Sequence, residues 1–192
     1  MKKALRKITK KFSSSKGFSL GELLAATLIL LLASQVMAQG VAFAARMYNE
    51  SLTRSHSKQL CSSLTAAIET ELRYTTSIEY DTSTGKLKNY FSREYGQTGS
   101  SFLSIDQDNK VADKGELAVK TNSGTKSAYQ RLLSSSTYSS YDLQAKVAST
   151  TYNKDENQFT VNLEIYNNKD EKLLESTFDV IPINNLKINE EQ

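Results

Sequence analysis

Residues 23–45 form a run of 23 consecutive positions without a charge, and no other feature limits the fold of this chain as strongly. About 20 apolar residues span the hydrocarbon core of a bilayer as a helix, so the run is long enough to cross one. One flank is strongly basic. Lys2, Lys3, Arg6, Lys7, Lys10, Lys11 and Lys16 lie in residues 1–17 with no acid among them. By the positive-inside rule that flank stays in the cytoplasm and the chain beyond the span is exported.

The expected organisation has four zones: a basic leader (1–17), an apolar half-helix (18–45), an amphipathic half-helix (46–78) and a soluble domain (79–192). No proline or glycine interrupts residues 46–78, and Leu60, Leu64, Ala67, Ile68 and Leu72 fall on one stripe of a helix. Glu50/Arg54 and Glu69/Arg73 are spaced i,i+4 with the acid first, the favourable order. Continuous over 18–78, the helix would be roughly 90 Å long at 1.5 Å per residue. Gly40 and the Ser34-Gln35 pair are the expected places for it to bend.

Residues 79–140 are poor in apolar side chains and rich in Ser, Thr, Gly and Asn. Two short runs, 101–105 and 117–121, read as strands and the rest as loop, with the serines at 134–136 and 139–140 marking a surface loop. Beyond Tyr141 the pattern sharpens. Segments 143–152, 158–166 and 173–181 are separated by turn-rich stretches, and Phe159, Val161, Leu163 and Ile165 alternate with Thr160, Asn162 and Glu164. This predicts an antiparallel meander with one polar face, its apolar face covered by the stripe on residues 60–72. The fold class is therefore α+β, a long N-terminal helix packed on a C-terminal antiparallel sheet.

The formal net charge of +3 suggests nucleic acid until the charges are located. Outside the leader, 17 basic residues face 21 acidic ones, so the domain is mildly acidic and no phosphate-binding patch is expected. The one histidine, His56, excludes multi-histidine metal sites and most histidine-based catalysis, and is expected at the edge of a packed helix face. The one cysteine, Cys61, excludes an internal disulfide and is expected to pack as a small hydrophobe. Asp106, Asp108, Asn109 and Asp113 resemble a calcium loop only loosely, lacking the glycine and terminal glutamate of an EF-hand, and read as a solvated acidic turn. No enzyme, metal or cofactor is expected.

Glu22 is the anomaly, a carboxylate near the start of an apolar helix with no partner expected from the apolar segment itself. It belongs to the stretch Lys16-Gly17-Phe18-Ser19-Leu20-Gly21-Glu22-Leu23-Leu24. Here the chain resembles the precursors of type IV pilins and pilin-like proteins, whose basic leader ends in Gly and whose mature chain begins with Phe and has Glu fifth. The resemblance implies cleavage between Gly17 and Phe18 and N-methylation of Phe18 by a prepilin peptidase. It further implies an assembly role for Glu22, paired with the new α-ammonium of Phe18 on a staggered neighbour, and polymerisation through the N-terminal helix into a pilus or pseudopilus. Adhesion, motility, DNA uptake and protein secretion all remain open. Two departures stand out: Gly21 replaces a bulkier apolar residue, and no cysteine pair bounds a C-terminal loop.

Two other readings explain part of the pattern. Val36-x-Ala38 and Ala42-x-Ala44 suit a signal peptidase, which would release a domain beginning at Gln39 or Ala45. An uncleaved anchor displaying a surface domain explains the span and the charge asymmetry. Neither accounts for Gly17-Phe18 together with Glu22.

Overall fold

The computed structural model describes residues 19–92, 96–98, 102–123 and 126–188. It separates into two compact units, the first ending at Glu50 and the second beginning at Ser51. Helix α1, Leu20–Arg73, contributes to both: residues 20–50 to the first and 51–73 to the second. It is unbroken through Ser34, Gln35 and Gly40.

In the second unit α1 presents the expected stripe to the core. Leu60, Leu64, Ile68 and Leu72 are fully buried, Cys61 is buried beside them, and Ala67 is half-buried. The five buried residues share one hydrophobic cluster with Phe159, Val161, Leu163 and Ile165, the alternating residues of a strand in the expected meander. The helix ends earlier than expected, at Arg73 rather than 78, and residues 75–80 form strand β1, Thr75–Tyr80. Two threonines in succession lose χ1 freedom in a helix and fit a pleated surface. Two contacts settle the end: the Thr75 hydroxyl donates to the Glu71 carbonyl at 3.3 Å, and Ile183 N–H donates to the Arg73 carbonyl at 2.9 Å. The second comes from 110 residues further along the chain, beyond the reach of any local pattern.

The meander is present as β8 (Gln144–Asn153), β9 (Gln158–Tyr166) and β10 (Lys172–Val180), antiparallel in the order β10-β9-β8. Its turns use the expected residues: Asn157 and Asp170 take positive φ, and the Asn167 side chain accepts the Lys169 and Glu171 N–H groups. The outer face is a polar ladder. Asn162 and Lys172 both bond Glu175, Lys172 also bonds Glu164, and Thr160 bonds Asp179.

The described residues of 79–140 form far more strand than the expected loop. Strands β2 (Leu87–Ser92), β3 (Gly96–Thr98), β4 (Leu103–Ile105), β5 (Val111–Ala112), β6 (Glu116–Ser123) and β7 (Lys126–Arg131) join β1 and β11 (Lys187–Ile188) in an eight-stranded sheet. Half of the eight are only two or three residues long, too short to display alternation, and β6 buries three consecutive residues, Leu117, Ala118 and Val119. The serine-rich stretch is not a loop either. Ser135–Ser139 form a short helix, α2, whose Tyr138 is buried and accepts the Leu117 N–H at 3.1 Å. The acidic turn is as expected: Asp106 accepts the Lys110 N–H at 2.8 Å and closes the β4–β5 hairpin. Gly115 joins the two sheets, exchanging both backbone hydrogen bonds with Ala145 of β8.

Cys61 packs in the core, where burial pushes its thiol upward against the opposing hydrogen bonds of Thr65 and Ser176. A maleimide added to the folded protein at pH 8 is therefore expected to label Cys61 at least about tenfold more slowly than in denaturant. Equal rates, read by mass, would contradict this packing. His56 sits at the edge of the packed face, stacked on Tyr141 with ring centroids 3.5 Å apart.

Candidate functional site

The described residues of the first unit present mainly apolar surface. Fourteen large apolar side chains from Leu20 to Tyr48 are each more than half exposed. Leu28, Ile29, Leu30, Leu31 and Leu32 are consecutive, and at 100° per residue they cover every side of the helix. A helix apolar all round belongs in a core or a membrane, because water would leave that whole surface unsatisfied. The N-terminal part of α1 is long and apolar enough to cross a membrane.

At the start of this segment Glu22 is not isolated. Ser19 precedes the first helical residue, and its carbonyl accepts the Leu23 N–H at 3.2 Å. The Ser19 hydroxyl oxygen lies 3.2 Å from both the Glu22 N–H and Glu22 Oε2, accepting from the first and donating to the second. The Ser19 peptide N–H also donates to Glu22 Oε2, at 3.1 Å. Serine and glutamate thus satisfy each other's groups in a capping box, and the glutamate carries negative charge where the helix dipole favours it. This corrects the expectation that Glu22 lacks a partner in its own segment. The signal was present in the sequence as Ser-x-x-Glu ahead of an apolar run.

Gly17 and Phe18, the expected cleavage and methylation positions, lie outside the described residues, as does the leader. Gly21 is uncrowded within its own chain: a Cβ there would meet only Ser19 Oγ, at 3.9 Å.

The second unit supplies no competing centre among the described residues. No three of His, Cys, Asp and Glu converge there as metal ligands. A cavity of about 310 Å³ is lined by Asp106, Lys114, Glu116 and Asp142 among others. Its charges are largely engaged already. Lys114 bonds Asp170 at 2.8 Å and lies over the Tyr166 ring, Glu116 is paired with Arg131 and Ser135, and Asp106 holds its own turn. The site that stands out is the bare half-helix with its single capped carboxylate. The chain matches no protein-family model, no curated protein and no solved structure.

Proposed function

We propose that this protein is a pilin-like structural subunit, a minor rather than a bulk component, that assembles through its N-terminal helix into a type IV pilus or related pseudopilus. The observation that carries the reading is a half-helix apolar on every side, with one carboxylate at its start, directly after Gly17-Phe18. Such a helix is stable in lipid, and it is equally stable in a bundle of similarly apolar helices once drawn out of lipid. Glu22 gives that bundle a charged fixture, a mate for the N-terminal α-ammonium of a neighbouring subunit, as Phe18 would offer its own neighbour. The second unit, with its own core, would be displayed outside the membrane and would not bind nucleic acid. The partners are a prepilin peptidase, which cuts after Gly17 and methylates Phe18, and other pilin or pseudopilin subunits. The protein itself is not an enzyme and needs no cofactor.

The test is the N-terminal residue and mass of the protein recovered from its native membrane fraction. A chain beginning at Phe18 with one added methyl group is expected. A chain beginning at Gln39 or Ala45 would make it a secreted domain, and an intact Met1 a static anchor; either result removes the assembly role.

A further inference from the structure

We propose that Ser19 is a positioning residue, which holds the Glu22 carboxylate folded back against the start of α1 so that it meets a neighbouring subunit already oriented. The inference rests on the assembly role proposed above for Glu22. A glutamate has three rotatable bonds, and fixing them at the moment of contact costs side-chain entropy. In the capping box that order exists beforehand, because three hydrogen bonds of 3.1–3.2 Å join the two residues. Preorganisation of this kind strengthens association without adding a contact.

The box does not compete with a partner for Glu22. An ionised carboxylate offers about four lone-pair sites, and both donors from Ser19 fall on the same oxygen, Oε2. Acceptor capacity remains for a cation. Both Ser19 groups also lie beyond the Gly17–Phe18 bond, so the box is chemically intact in a chain cut there. Ser19 therefore acts after processing as well as before it.

Helix capping and Glu22 positioning are separable by chemistry. Threonine keeps the hydroxyl that both accepts from and donates to Glu22. Aspartate is as good an N-cap acceptor as serine, but its side chain cannot donate and its charge repels the glutamate. The experiment expresses full-length Ser19→Ala, Ser19→Thr and Ser19→Asp chains in the native host, beside Glu22→Ala. It reads the mature N-terminal mass and the ratio of protein in sheared surface fibres to protein in the membrane. Ser19→Ala is expected to mature normally and to enter fibres about fivefold less, the scale of losing an N-cap. Ser19→Thr should return to within about twofold of the parent, whereas Ser19→Asp should stay low.

Recovery by aspartate would reduce Ser19 to a helix cap and overturn the proposal. An unchanged ratio for Ser19→Ala while Glu22→Ala fails to assemble would also overturn it, with the reading of Glu22 intact. A Ser19→Ala chain that is not matured would place Ser19 in processing and overturn it as well. A parent chain that never enters fibres overturns the underlying reading and this inference together.

Discussion

Replacing Gly115 by alanine is expected to destabilise the second unit by about 3 kcal/mol, the upper part of the range for forcing atoms into a packed interior. A Cβ at this position would stand 2.9 Å from the Ile105 carbonyl carbon and closer still to its oxygen. The obstacle is backbone, so no side chain can turn aside. Either β4 or the start of β6 must move, and movement there breaks the pair of hydrogen bonds with Ala145, at 3.1 and 2.7 Å, that joins the sheets. The Ala145 carbonyl also accepts from the buried Ser104 hydroxyl at 2.9 Å, so the disturbance reaches β4 by a second route. For a unit of this size the thermal midpoint should fall by roughly 6–12 °C, measured on the full chain in detergent. Gly40→Ala is the control: nothing lies within 4 Å of the added carbon, and alanine favours helix by about 1 kcal/mol. A midpoint for Gly115→Ala equal to that of the parent would refute the close packing at this junction.

Glu22→Ala should give the reverse pattern, loss of assembly with no loss of folding. Glu22 is exposed and belongs to the first unit, whereas the buried residues of the core belong to the second. The unfolding free energy of the second unit is expected to stay within about 0.5 kcal/mol of the parent, as for other surface substitutions. Membrane residence should persist, because removing a carboxylate makes the apolar segment cheaper to insert. The fraction found in fibres should fall at least about tenfold, since truncating one member of a buried hydrogen-bonded charge pair costs about 2–5 kcal/mol. Glu22→Gln isolates the charge: it keeps the size and an acceptor for Ser19, yet should assemble as poorly as alanine. Normal fibre content in the alanine variant would sink the proposed role. The two substitutions thus separate what the fold of the second unit requires from what the half-helix does.

The parts of this architecture legible in the sequence are those written in local periodicity. Leu60, Leu64, Ile68 and Leu72 specify a helix face within four turns, and Phe159 to Ile165 specify a strand face within seven residues. The meander turns are equally plain, because Asn and Asp tolerate positive φ and bond their own backbone. The eight-stranded sheet is not legible, for the opposite reason. Its strands are short, and their places depend on distant partners, as when β6 accepts β3, β4 and β7 along its length. The end of α1 belongs to the same class, fixed in part by Ile183 rather than by a glycine or proline nearby. At the candidate site the position of Glu22 is evident from charge alone. Its bond to Ser19 is written in the Ser-x-x-Glu spacing, a local signal that a search for partners outside the helix passes over.

The contacts at the end of α1 also decide how the second unit carries mechanical load. A pull on residues 20–50 enters that unit along the helix and leaves it at Arg73. Between Arg73 and Ile78 the backbone is fastened to the C-terminal segment by Ile183 N–H on the Arg73 carbonyl, by the Asn184 amide on the Thr75 carbonyl at 3.3 Å, and by parallel pairing of Ser77 and Ile78 with Lys187 and Ile188. Tension arriving there is shared at once between the first strand and the last.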